Sequence, residues 1–218
     1  MSFQTDIDMS QALGMMEGFM PDSLKRNNDL MNTDKYPKDW RSLYDLKKEE
    51  GKVTTNQDSI RLLKKIYFKG NFNLDKFSGF SVKTSALTKD EIASTRKLMG
   101  KDGAMINNSA FDDWNGKTLT INTSKLQISE KEIQDIFKSV EETKGEDKQP
   151  IESLLGMMQI DFKNQLLFDN KIKSVKGRHD WVKKINDKTI EVSINLQEMM
   201  DNNHQFKNKD KIILIETE

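Results

Sequence analysis

The chain has 218 residues, with 35 Lys+Arg against 35 Asp+Glu, a formal net charge of zero, and 35% hydrophobic residues. That length holds one ordinary domain or two small ones, and the charge balance argues against a nucleic-acid binder, whose footprint is a basic excess or stripe. The lack of cysteine excludes disulfides, a thiol nucleophile and cysteine-held metal centres, and two histidines, His179 and His204, leave little for a histidine-rich metal site.

In chain order, Phe3, Ile7 and Met9 alternate with Gln, Thr and Asp, which predicts an edge or half-buried strand over 2–9. Ser10 is placed to cap a short helix carrying Leu13, Met16 and Met20 near one face, with Pro21 as its stop. Residues 22–33 form a weak helix or an irregular connection, and a helix is expected over Ser42–Glu50. Asp58–Lys65 is expected to be helical. Tyr67–Leu74 and Gly79–Thr84 follow as antiparallel strands, with turn punctuation at Lys69–Gly70 and Ser78–Gly79, since so short a connection cannot support a parallel crossover.

Thr88 followed by Glu91 is a capping box, opening a helix with Ile92, Thr95, Leu98 and Met99 inward and Gly100 at its end. Residues 101–117 are expected to be a long loop anchored by Met105, Ile106, Phe111 and Trp114, and Leu119–Leu126 a strand. Ser129 and Glu132 repeat the capping box ahead of an apolar stripe, Ile133, Ile136, Phe137 and Val140. Residues 142–150, ETKGEDKQP, are a candidate surface linker. After a short helix at 151–157, strands are expected at Ile160–Phe168 and Asn170–Val175. A hairpin then joins Trp181–Lys184 to Thr189–Leu196 around Asn186–Asp187, with polar helix or loop at 197–206. The apolar run Ile212–Ile215 predicts a buried strand near the centre of a sheet. Together these give an α+β fold, mainly antiparallel β-sheet, with three to five helices packed on one side or at one end. One domain over 1–218 is expected, a split into 1–141 and 151–218 being the alternative, with the smaller part marginal for a core of its own.

Functional signals are sparse. Gly14-Met15-Met16 is echoed by Gly156-Met157-Met158, so these methionines either fill core gaps or line an adaptable groove. Residues 163–188 carry eight basic residues against Asp169, Asp180 and Asp187, a local charge of +5, with Phe168 and Trp181 interleaved. Lys171, Lys173, Arg178 and Trp181 are therefore candidates for docking an acidic partner or a membrane surface, against the plainer reading of a solvated sheet face. His179 is expected to be an exposed loop histidine that Asp180, its chain neighbour, cannot orient. Asp6 and Asp8 share one face of a strand, and Asp112-Asp113 lies in a loop. Such carboxylates serve acid–base chemistry or calcium, although neither segment fits the twelve-residue calcium loop. No phosphate-binding, zinc-protease or nucleophile-elbow motif is present, and the sequence assigns no catalytic residue, no metal and no cofactor.

The stretches MSFQTDIDMSQALGMM, YFKGNFNLDKFSGFSVKTSAL and DNKIKSVKGRHDWVKKINDKTIEVSINL resemble the small envelope lipoproteins of the Bacteroidetes, with the late strand of the pattern falling on Lys188–Val192. The similarity touches about half of the chain in scattered pieces, and the lipid-bearing cysteine of that family is absent. The first residues lack the basic and apolar regions of a secretory signal, and no apolar run approaches the roughly 18 residues that span a bilayer. Either the protein is cytosolic, or Met1 stands where an export leader was removed. The resemblance implies a periplasmic or outer-membrane location through a lipid anchor, and no catalytic residues to carry over. The expectation is a non-enzymatic binding or structural protein of the envelope that offers a sheet face or groove to a protein, lipid or glycan partner. Alternatives are a cytosolic adaptor or immunity-like protein and a hydrolase using Asp6, Asp8 or Asp113.

Overall fold

Alternation over the first nine residues produces β1 (Ser2–Asp8), with Thr5 and Ile7 buried on one side and Asp8 exposed on the other. A computed structural model describes residues 1–19, 36–52, 54–99, 111, 113–126, 159–200 and 204–218. After β1 come α1 (Ser10–Phe19), β2 (Arg41–Ser42), α2 (Leu43–Glu49), α3 (Gln57–Leu63), β3 (Ile66–Asn73), β4 (Lys76–Thr84) and α4 (Lys89–Met99). They are followed by β5 (Asp113–Trp114), β6 (Thr118–Asn122), β7 (Asp161–Leu167), β8 (Ile172–Lys176), β9 (Val182–Asn186), β10 (Thr189–Asn195), α5 (Leu196–Met200) and β11 (Ile212–Thr217). The expected helix at 129–140, the linker 142–150, the segment 22–33 and the pair Met157-Met158 lie outside the described residues.

The strands form two antiparallel sheets: a larger one in the order β2-β3-β4-β1-β7-β10-β9 and a smaller one in the order β5-β6-β11-β8. The α+β class, with antiparallel sheet at the core and several helices to one side, is thus as expected. Both sheets draw strands from either side of residues 142–150, since β1 pairs with β7 and β6 with β11. The inner face of the larger sheet is covered in two halves. Toward β7 and β10, Leu166, Ile190 and Val192 meet Leu119, Ile121, Ile213 and Ile215 of the smaller sheet in one apolar cluster. Toward β3 and β4, Ile66 and Val82 pack with Leu62 of α3, Leu87 and the flanking Ile92 of α4. Burial of this apolar area is the main stabilising term. A buried Thr5 hydroxyl donates to Asn164 Oδ1 at 2.7 Å, so this polar step across β1 and β7 on that face is satisfied.

The local helix signals are realised in the caps. Ser42 and Asn56 cap α2 and α3 by accepting from Asp45 N and Ser59 N. Thr88 and Glu91 exchange both bonds of the capping box, at 3.0 and 3.3 Å.

Several expectations are corrected. Of the two readings of β1 the half-buried one holds and the edge one does not: it is the fourth of seven strands, paired on both sides. Gly70 and Gly79 are not turn residues but lie inside β3 and β4. At Gly70 a side chain would press on Tyr36 Cβ at 2.8 Å, and at Gly79 (φ 143°) it would run into the Ile7 carbonyl oxygen. The hairpin turns instead at Leu74 and Asp75, both with positive φ, 48° and 61°. Asp113–Trp114 is a strand rather than loop, paired with β6, because Trp114 is buried against Phe168 at 5.4 Å. The strand predicted over Leu119–Leu126 stops at Asn122, whose side chain accepts from Ser124 N and turns the chain into a 3-10 turn. β7 and β8, consecutive in the chain, enter different sheets. β11 is central in its sheet as expected, but it alternates: Ile213 and Ile215 are buried and Ile212 is exposed.

Candidate functional site

The residues of β1 that point away from the core are Gln4, Asp6 and Asp8, and register carries their row across the outer face of the larger sheet. Lys69, Ser81, Asp6, Lys163 and Ser193 stand side by side on β3, β4, β1, β7 and β10. The next row is Asn71, Gly79, Asp8, Asp161 and Asn195. Neighbouring members of a row are about 4.8 Å apart, the strand spacing. A groove of ≈ 910 Å³ runs over these rows, walled by Asp180, Glu198 of α5 and the segment His204–Lys207.

Polar groups on this face are held in place by one another. The Ser81 hydroxyl donates to Asp6 Oδ1, and Gln4 Nε2 donates to both Asp6 oxygens at 3.1 and 3.0 Å. Asn71 Nδ2 donates to Ser81 Oγ at 2.8 Å. Asp8 accepts from Ser10 N and Oγ at the start of α1, and Asp161 accepts from Asn195 Nδ2 at 2.8 Å. Asn195 in turn caps α5 by accepting from Gln197 N and Glu198 N. Near β3, Lys83 and Lys69 place their ammonium groups 4.2 and 5.3 Å from the centre of the Trp40 ring. The result is a pre-ordered surface of alternating carboxylate, amide, hydroxyl and ammonium groups, chemistry suited to a polar ligand with many donors and acceptors.

The wall is fixed by a buried cluster. His179 is only 8% exposed, which corrects the expectation of an exposed loop residue. Its ring lies 5.1 Å from Trp181 and 4.9 Å from Phe206, and Nδ1 accepts from Trp181 N at 3.3 Å. Burial pushes its pKa below the ordinary histidine value, with Asp180 and Asp210 opposing. Asp180 does not orient the ring, as expected. Its carboxylate instead accepts from Asn208 Nδ2, Lys207 N and Asn208 N, bonds that hold its pKa below the usual range. Trp181 is 5% exposed, and its Nε1 donates to Glu198 Oε2 at 3.1 Å. The aromatics interleaved among the lysines, Phe168 and Trp181, are therefore core residues and form no surface platform.

Of the residues singled out from sequence, Trp181 lines the groove and Arg178 lines a smaller cleft. Met15 is exposed on α1, Lys171 is exposed just before β8 and Lys173 is exposed on it, and these three line neither. The Met16 side chain, Met157 and Met158 lie outside the described residues. Asp6 and Asp8 do share the groove, whereas Asp113 belongs to the other sheet. Lys163, Ser193, Asn195 and Glu198 escape a reading of the sequence alone. The alternation of β7 and β10 marks the first three as outward-facing, but nothing local says which strands stand beside them. Among the described residues no helix is long and apolar enough to cross a membrane, and no group of three or more histidine or acidic residues is placed to hold a metal. Comparison with protein-family models, with curated proteins and with solved structures found no match to this chain.

Proposed function

We propose that the protein is a non-enzymatic binding protein of the bacterial cell envelope. It holds a polar ligand, a glycan or a polypeptide segment, across the outer face of its larger sheet. The observation that carries the binding role is the row Lys69–Ser81–Asp6–Lys163–Ser193 lying under a groove of ≈ 910 Å³. A face built of ordered donors and acceptors favours a hydroxyl- or amide-rich ligand over a lipid chain. The envelope location rests on the resemblance of the opening, middle and late stretches to envelope lipoproteins.

The test is binding to an array of bacterial envelope glycans and peptides, with Lys163→Glu and Ser193→Trp as groove variants. Lys163→Glu replaces a cation with a second carboxylate directly opposite Asp6 and repels an acidic ligand, while Ser193→Trp fills the groove. Each variant is expected to lower affinity about tenfold or more, about 1.4 kcal/mol. Unchanged binding in both variants overturns the groove as the site. Turnover of a bound glycan that is lost in Asp6→Asn replaces this reading with the hydrolase. The mass of the mature protein from cells tests the location, since a lipid-modified form supports the envelope and an unmodified cytosolic form with a stoichiometric soluble partner supports the adaptor.

A further inference from the structure

β8 and β9 are consecutive in the chain yet do not pair. β8 is the last strand of the smaller sheet and β9 the last strand of the larger one, each with a single partner strand among the described residues. Between them lies a cleft of ≈ 390 Å³, with Arg178, Lys183 and Lys184 at its rim and Val182, Ile190 and Ile213 beneath. One end is closed where Ile172 N donates to the Asp187 carbonyl at 2.6 Å, and the other where the chain turns through Gly177–Trp181. Beside it, Val175 and Ile185 are 38% and 44% exposed.

We propose that this cleft takes an acidic, extended polypeptide segment, which adds as a further strand to the outer edge of β9. Three observations select that partner. First, residues 171–188 hold seven Lys and Arg against Asp180 and Asp187, a local charge of +5 on a chain whose total is zero. Two of these cations are engaged in turn, Lys184 by Asp187 at 3.4 Å and Lys176 by Glu216 at 3.7 Å, and Asp180 is held by Lys207 N and Asn208, so Arg178 and Lys183 carry most of the charge at the rim. Second, an edge strand presents unpaired main-chain donors and acceptors, and the apolar floor gives alternate side chains of an added strand a place to bury. Third, the cations sort the candidates. Lysines on an edge repel a second copy of the same basic strand, whereas an acidic strand is drawn in. A single-stranded nucleic acid would need exposed aromatic faces to stack its bases, and Phe168 and Trp181 are buried. The site adjoins the groove on the outer face, with Asp180 lining both, but it does not depend on that reading.

The probe is a labelled seven-residue peptide of alternating glutamate and valine, titrated by fluorescence anisotropy and by amide chemical shifts of the full chain. Binding should shift the amides of 182–186 and slow their hydrogen exchange. The double variant Lys183→Glu/Lys184→Glu, both positions exposed, should weaken binding about tenfold or more at 0.1 M salt, with the fold confirmed by unchanged amide shifts in β1 and β7. Lys48→Glu, exposed on α2 beside the opposite edge of the larger sheet, should leave peptide binding unchanged. No binding at millimolar peptide overturns the proposal. So does binding that ignores the double variant, or an oligothymidine that shifts the same amides as strongly as the peptide.

Discussion

Burial disfavours the charged form of His179, whose Nδ1 accepts from Trp181 N at 3.3 Å. With its pKa lowered from the ordinary 6.5, the unfolded chain binds the proton more readily than the folded one. Stability is therefore whole above about pH 6.5 and falls as the pH drops below that value toward the folded pKa. Urea midpoints at pH 7.5 and pH 5 should show this loss in the native protein. His179→Asn, whose Oδ1 can still accept from Trp181 N, should be less stable at pH 7.5 through lost packing but should lack the His179 share of the drop, while His204→Gln should keep it. An unaltered pH dependence in His179→Asn would assign the drop elsewhere. Nothing in the run Arg178-His179-Asp180-Trp181 announces this burial. Two charged neighbours suggest a surface, and only the arrival of Phe206 from a later segment makes it a core. Trp181 misleads for the same reason, since flanking polar residues cannot reveal that Glu198 waits to accept its N–H.

At the scale of single elements, the β3–β4 hairpin carries a removable strain. Its two-residue turn has positive φ at both Leu74 and Asp75, the type I′ geometry that suits the twist of paired strands and favours Asn-Gly. Leu74 is 94% exposed, so its side chain gains nothing to offset a left-handed backbone. Leu74→Asn with Asp75→Gly should stabilise the protein by about 1 kcal/mol, read as a rise of about 2–4 °C in Tm for a chain of this size. Elements governed by nearest neighbours were legible. The capping box at Thr88–Glu91 and the β9–β10 hairpin need no residue far away in the chain. What alternation cannot supply is a strand's neighbours. The same pattern that placed Asp6 and Asp8 on one face of β1 fitted an edge or a half-buried strand alike and did not give its two neighbours. Glycines mislead similarly, because Gly79 is required by the Ile7 carbonyl beside it and not by a turn.

For the molecule as a whole, the candidate groove could be read only in part from sequence. Asp6 and Asp8 were visible as a pair, but Lys163 and Ser193 join them through pairings across most of the chain. The same pairings bind the two ends together. Residues 1–141 alone would leave β1 without β7 and β6 without β11, exposing the apolar inner face that Leu166, Ile190, Ile213 and Ile215 cover. That fragment should show poorly dispersed amide resonances and aggregate, whereas a folded monomer would mean that the later strands are dispensable.

The central place of β1 also sets a timetable for synthesis. Thr5 and its partner Asn164 are 159 residues apart, so at about 5–20 residues per second the first strand leaves the ribosome some 8–30 s before the strand that completes it. During that interval β1 can pair with β4 on one side while its other edge stays open, with Ile7 uncovered by the later half. Slowing elongation downstream of residue 84 lengthens the interval and should lower the yield of folded protein, whereas a chaperone that shields this edge should raise it.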